Sequence, residues 1–525
     1  MAKKRVSKKH RKNNKKNSRI NNNIDNNIDN NKIKYQGITI PTNIDEFQIT
    51  SSNAGLCALA PVIKDKKVFE PIHNNVNIRQ KKIFYSPTDK LVFLTLGIMS
   101  GMQTVYDINY KLRVDKALLK AFGYQKCADQ SVIQETLNAV TDENIKQMES
   151  ALDEIFKQNN LSASLIEKAQ KDNRTITIDI DLSGQIASKN AEQSTKGYFS
   201  GKKNAYGRQL ARVLVSDTQE IAVESLYSGN TVSWDNDVFK ATITKMEYRL
   251  NLYTQAQRNS IRLRLDGGFG TDKNVNYALW CDYQLLAKMR CSSRARKLSK
   301  SVTQWVDIPS DSGEPSKNNP RQAGLVTTPH RYGRRTRQIA IKKATKKGYT
   351  YSVLVTTDTD SDILSIVSDY DARGGVPESS FCQDGQGLSN TKRRKRSFLG
   401  QQMLMLLNQL AHNMIVWIKN WLTESMLVIS DESLGESSDE SSDESLVQSS
   451  ESQVYEKSLI IKTVKERGMK RFVHQLLSIS GLVTLKGQKV CSVAFNPSYS
   501  LVKRIVIAFR TLLKPYGIMV SLDET

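Results

Sequence analysis

The spacing of apolar residues changes character near residue 174. Upstream, from about residue 38 to 170, large apolar side chains recur at three- and four-residue intervals in 90–102, 106–122 and 142–159, the period of amphipathic helices. From Arg174 onward, Ile176, Ile178 and Ile180 alternate with Thr177, Asp179 and Asp181, a strand pattern that Ser183 and Gly184 should bring to a turn. Strand-like runs follow at 209–215, 220–226 and 261–265, with helical spacing at 234–250 and 273–283. Residues 301–308, 337–342 and 349–356 are strand-like again, in a strongly basic stretch around a polar loop at 309–322. The strongest helical signal, 398–422, sets Leu406, Leu410, Trp417 and Trp421 near one face, a stripe that reads as core.

These alternations predict an α/β protein. A helical N-terminal, DNA-binding domain is expected at 36–170 and a mixed sheet flanked by helices at 171–285 and 361–425, interrupted by a β-rich basic insertion at 286–360. Residues 1–35 are Lys, Arg and Asn with few large apolar side chains, the composition of a disordered basic arm. The tract SDESLGESSDESSDES predicts a solvated acidic linker across 426–454. The last region, 455–525, mixes both periods and carries no chemical motif.

Composition narrows the partner. The formal net charge is +24 and the pI about 9.6, an excess that favours polyanions and nucleic acid first among them. The most apolar stretches, 91–102 and 403–422, are short or interrupted by Asn408, Gln409, His412 and Asn413, so no membrane partner is expected. The basic N-terminus MAKKRVSKKHRKNNKKN leads into Asn-rich sequence rather than an apolar signal core, and the six cysteines lack metal-ligand spacing. A cytoplasmic, nucleoid-associated protein with reduced thiols is the expectation. His330, His412 and His474 have no neighbours of a metal or nucleophile motif and read as structural histidines.

Phosphoryl transfer with two divalent ions needs carboxylates brought from different elements to one point, because hard Mg²⁺ prefers oxygen ligands. Two passages place an acid at the end of an expected strand. Asp181 closes TITIDID with Asp179 on the same face, an acid pair whose burial would need compensation. Asp266 closes IRLRLD, and Gly267 and Gly268 after it allow close backbone approach. A third acid, Glu378 in DYDARGGVPESSFCQDGQGLSNTKRRKR, lies beside a basic run and just ahead of the long helix. One acid at a strand end is more often a turn or cap residue, so the combination carries the argument.

Together DIDLSG, TKGYFSG, GRQLARVLVS, LYSGNT, LRLDGGFGTD, YDARGG and LAHNMIVW resemble the insertion-sequence transposases with a DDE, RNase H-like catalytic domain, over roughly residues 174–422. The resemblance implies an RNase H-like mixed sheet with Asp181, Asp266 and Glu378 as catalytic residues that bind two Mg²⁺ or Mn²⁺ ions. Asp181, Leu182 and Ser183 stand at the family's Asp-x-Thr/Ser element, with Asp179 as neighbour or alternate, and Arg264, Asp266, Gly268 and Phe269 at its R-x-D-x-G-F strand end. Tyr370, Arg373 and Glu378 follow the Y-(2)-R-(3)-E-(6)-K signature, with Glu378 one residue late after Pro377 and Gly385 at the lysine position.

The implied activity is DNA strand cleavage and strand transfer of an insertion sequence, on double-stranded DNA at transposon ends and targets, by a homo-oligomer assembled on DNA. Tyr370 and Arg373 are expected at the phosphate near the cut. Arg334 and Arg335, with Lys392, Arg393 and Arg394, are expected along the DNA backbone. Two rivals stand beside this: an RNase H-like nuclease that cuts without joining, and a catalytically decayed DNA-binding derivative, which Pro377 and Gly385 would suit.

Overall fold

The computed structural model describes residues 46–523, apart from 82–83, 200, 203, 310–319, 376, 433–443 and 498–499, and at 374–375, 377–378, 428–432 and 444–454 it describes the backbone alone. The expected basic arm at 1–35 lies outside the described residues.

The described strands are β1 (Glu46–Ser51), β2 (Ile176–Ile186), β3 (Thr195–Lys196), β4 (Tyr206–Val215), β5 (Glu220–Ser228), β6 (Ile261–Leu265) and β7 (Gln284–Lys288), followed by β8 (Val306–Asp307), β9 (Arg321–Leu325), β10 (Arg337–Thr345), β11 (Gly348–Thr356), β12 (Gly481–Lys486), β13 (Lys489–Phe495) and β14 (Met519–Leu522). They form two sheets.

The larger sheet is built around β2. Its alternating isoleucines do what the pattern requires, with Ile178 and Ile180 fully buried. On one side β2 pairs antiparallel with β4, and β4 antiparallel with β5; on the other it pairs parallel with β6, and β6 parallel with β7. The strand-like insertion does not stand apart from this sheet. β11 pairs antiparallel with β7, and β10, β9 and β8 follow outward, so the insertion lengthens the same sheet at its β7 edge.

The expected turn at Ser183 and Gly184 is absent, because β2 continues to Ile186 against β4. Gly184 serves packing instead: a Cβ there would lie 2.5 Å from the ring of Phe199. The helix expected over 106–122 is also divided, into a 3₁₀ turn at Val105–Asn109 and a helix at Lys116–Ala121. Asp115 starts the second piece by accepting the Leu118 amide at 3.0 Å, and the same carboxylate accepts the Ser51 hydroxyl at 2.7 Å, so a helix cap also anchors the end of β1.

The long helix Phe398–Glu432 lies along β5. Asn413 accepts the Ile221 amide at 2.9 Å, Gln409 donates to the Ile221 carbonyl at 3.1 Å, and the Trp417 indole donates to Glu220 at 2.7 Å. The polar residues that interrupt the apolar run are therefore clamps onto a sheet edge. No described helix is long and apolar enough to cross a membrane.

The smaller sheet has the order β1-β12-β13-β14. The region beyond 455, silent in motif terms, supplies three of these strands, and β1 pairs antiparallel with β12 from Glu46 opposite Lys486 to Ser51 opposite Gly481. The helix Ala54–Asp65 packs on β13. Of the acidic tract, 433–443 lies outside the described residues; to either side the chain is helical, in Phe398–Glu432 and Glu444–Lys465.

Candidate active site

Parallel pairing of β2 with β6 sets their polar faces side by side, with Thr177 opposite Arg262 and Asp179 opposite Arg264. The first rung is a hydrogen bond, Arg262 Nη2 donating to Thr177 Oγ1 at 2.8 Å. The second is a two-pronged ion pair, with Arg264 Nε and Nη2 each 2.7 Å from an Asp179 oxygen. Both partners are buried, and the Ser216 hydroxyl adds a 2.5 Å bond to the same carboxylate. Asp179 is thus already compensated by an arginine of the next strand.

One step further along, Asp181 and Asp266 follow the last parallel pair, Ile180 opposite Leu265. Here acid meets acid. Both line one cavity of about 540 Å³, together with Trp234, Arg290, Arg373 and Phe381. Asp266 is fixed by the turn it opens, its Oδ1 accepting the Phe269 amide at 2.9 Å and its carbonyl the Gly270 amide at 2.9 Å. Gly268 is required by space, since a Cβ would come within 2.2 Å of Ser233 Oγ and 3.0 Å of Asp266 Oδ1.

The helix Ile363–Gly375 lies over this ladder. Asp369 meets Arg262 through its carboxylate at 2.9 Å and Arg264 through its carbonyl at 2.5 Å. One turn on, Arg373 Nη2 comes 3.0 Å from Asp181 Oδ1. That approach is an ion pair rather than an aligned hydrogen bond, and the buried Arg373 Nε and Nη2 have no hydrogen-bond acceptor among the described residues. Burial would weaken the Arg373 cation, but the Asp181 and Asp266 carboxylates more than offset this and strengthen it. Burial pushes the Asp181 carboxyl up to about 6; Arg373 opposes the rise and Asp266 adds to it. Tyr370, half-buried beside them, has its phenol raised well above the usual value by burial.

The next helix, Pro377–Gly387, covers β2 on the same side. Phe381 reaches the cavity, and its ring lies 4.2 Å from the Arg212 guanidinium. Arg212, opposite Asp181 on β4, is fully buried and meets Glu224 at 2.5 Å, Asp384 at 2.6 Å and Ser380 at 2.7 Å. Asp384 in turn lies 2.8 Å from His412 Nδ1, whose Nε2 faces the Gln219 carbonyl at 2.8 Å. Burial raises the Asp384 carboxyl, but His412 and Arg212 bring it below the usual carboxylate range. The histidine of LAHNMIVW is thus structural, with both ring nitrogens engaged, and Arg212 and Asp384 are members of the site's surroundings that spacing did not reveal.

Glu378 lies in the first turn of this helix, three residues before Phe381; its side chain is outside the described residues. Among the described residues no group of three or more His, Cys, Asp or Glu is placed to hold a metal, and the described acids of the cavity are the pair Asp181 and Asp266.

The basic residues expected on DNA divide. Arg393 is a correction: it is buried, donates to the Met102 carbonyl and Asn408 Oδ1 at 2.6 Å each, and is lowered to about 9 by burial. Burial alternates along the run: Arg393 and Lys395 are buried while Lys392, Arg394 and Arg396 are exposed. Arg334 donates to the Tyr283 carbonyl at 2.8 Å and Arg335 is exposed; neither lines the acidic cavity.

No curated protein matches this chain. A cryo-EM structure of a piggyBac transposase synaptic complex with hairpin DNA aligns at 13% identity over 70% of this chain and 74% of that one, with a TM-score of 0.38, too loose a superposition to inform the site. The family model of the transposase DDE domain, group 1, matches residues 39–429, which hold both strand-end acids, the two helices over them and most of the long helix along β5. The chain belongs to the transposase DDE domain group 1 family.

Proposed function

We propose that this protein is an insertion-sequence transposase that cuts DNA strands and joins the freed end to a target, with Asp181, Asp266 and Glu378 as its catalytic carboxylates. The observation that carries the proposal is the third rung of the ladder. Two rungs are matched by an arginine, and the third leaves two carboxylates facing one cavity with Arg373 as their near cation. Two carboxylates brought together at the ends of parallel strands suit oxygen-ligated divalent cations. The antiparallel, antiparallel, parallel, parallel run of strands in the order β5-β4-β2-β6-β7 is the arrangement expected of an RNase H-like sheet.

Asp181, Asp266 and Glu378 would hold two Mg²⁺ or Mn²⁺ ions, which supply Lewis-acid stabilisation of the attacking and leaving oxygens. Arg373 offers unaccepted N–H groups for a non-bridging phosphate oxygen, and Tyr370 packs beside it. Hydrolysis of one phosphodiester frees a 3′-OH; that hydroxyl then attacks a second phosphodiester in line, and the displaced oxygen takes the proton. The extra residue, Pro377, is the first of the helix Pro377–Gly387, which puts Glu378 in its first turn, three residues before the cavity residue Phe381. This supports Glu378 as the third acid. Double-stranded DNA and self-assembly on it belong to the same proposal.

The test is cleavage of the element's own terminal DNA by the purified protein with and without Mg²⁺, followed by joining of a precut end to a second duplex. Metal-dependent cutting with joining is the expected result. Cutting without joining would leave a nuclease, and binding without cutting a decayed derivative.

A further inference from the structure

The cavity at Asp181 and Asp266 adjoins a second one. Gly268 and Arg290 line both, and beyond them a groove of about 710 Å³ runs along the insertion strands past Lys288, Arg321, Lys343 and Tyr351. No aspartate or glutamate is among its described lining residues. Its cations differ from those of the ladder. Arg262, Arg264 and Arg212 each meet a carboxylate; of the groove's cations Arg321 does so, with Asp371 at 2.8 Å, but the others do not. The side chains of Lys288 and Lys343 have no ion pair or hydrogen bond among the described residues. Arg290 lies 3.7 Å over the ring of Trp234, a contact that steers the guanidinium without neutralising it. The floor between these cations includes Met289, Ala295 and Ile341, apolar and buried. Positive walls over an apolar floor match a sugar-phosphate backbone, whose oxygens seek cations and whose sugars tolerate apolar contact.

We propose that this groove is the path of the DNA strand that carries the phosphate cut beside Asp181 and Asp266, with Lys288 and Lys343 on phosphates just beyond the cut and Arg290 at the step between the cavities. This rests on the proposed function, and it adds a substrate path that runs onto the insertion strands rather than along the Lys392 to Arg396 run.

The test uses the full chain and two duplexes, one of the element's terminal DNA and one of the same length and scrambled sequence. Binding is measured over a salt series for wild type, the double variant K288E/K343E and the milder K288Q/K343Q, with thermal unfolding as the check on folding. Losing two phosphate contacts should lower the slope of log affinity against log salt by about 2 on either duplex. A terminal duplex with single methylphosphonates stepped along each side of the cut should lose affinity for wild type, and no further affinity for the folded double variant, at the positions that reach the groove. If wild type cuts its terminal DNA and both folded double variants keep its affinity and slope, the groove assignment falls and the function stands. If wild type binds without cutting while the slope drops in the variants, the function falls, and with it the path to a cut phosphate, leaving the groove as a DNA contact alone. Unchanged slopes without cutting sink both.

Discussion

At Asp181 the folded and unfolded chains differ over a proton. The carboxyl is raised to about 6 in the fold and sits near 3.9 when unfolded, so the proton helps the metal-free fold fully below about pH 4 and is lost as pH rises through 6. A rise of that size is worth about 3 kcal/mol at most. Denaturant unfolding of the metal-free protein at about pH 4 and pH 7 should therefore show a loss that Asp181→Asn reduces; an equal loss in the variant would contradict the assignment. Divalent ions compete with that proton, so apparent Mg²⁺ affinity should fall as pH drops through the same region. At Asp266, Asn keeps an oxygen for the Phe269 amide and removes the charge. We expect Asp266→Asn to bind DNA as wild type does and to cut at least about 10³-fold more slowly in a single-turnover assay. Alternation along β2 put Asp179 and Asp181 on one face and could not rank them. What separates them is the residue across the strand gap, Arg264 for one and Asp266 for the other, and strand register is set by long-range pairing that a local pattern does not contain.

Among elements, the helix Pro377–Gly387 carries Glu378, the proposed third acid, and is held through its own Ser380 and Asp384 by Arg212 of β4. Asp384→Asn removes the buried counter-charge of Arg212 and changes the hydrogen-bond partner of His412 Nδ1, and we expect a loss of about 3 kcal/mol or more in stability. Unfolding within about 1 kcal/mol of wild type would show that Glu224 alone suffices for Arg212. On the same helix Gly385 occupies the family's lysine position, and a Cβ there meets Asn390 and Thr391 at ordinary contact distances of 3.8 to 4.0 Å. Gly385→Lys should fit, stabilise the helix by up to about 1 kcal/mol and tighten DNA binding; a lower melting temperature would refute it. Elements with one strong period were legible, as the strand at Ile261–Leu265 and the helix at Asp142–Asn159 show. The break at Asp115 and the inward turn of Arg393 were not, because a cap can divide one apolar run and a charge run says nothing of which side chains face the core.

At the scale of the whole molecule, the charge of +24 and the unpaired groove lysines predict DNA affinity that falls steeply with salt. A filter-binding series that stays flat with salt would speak for a protein partner instead. The end-to-end pairing of β1 with β12 has a consequence for how the protein is made. Glu46 and Lys486 are 486 − 46 = 440 positions apart, and every strand of the larger sheet lies between them. As the chain leaves the ribosome, β1 emerges early and has no strand partner until the whole larger sheet has been translated, since domains form in the order their strands appear. A ribosome-bound chain stalled before β12 should therefore leave 46–51 open to protease while the β2 to β11 sheet already resists it, and a strand made before that sheet would be among the last to find its place.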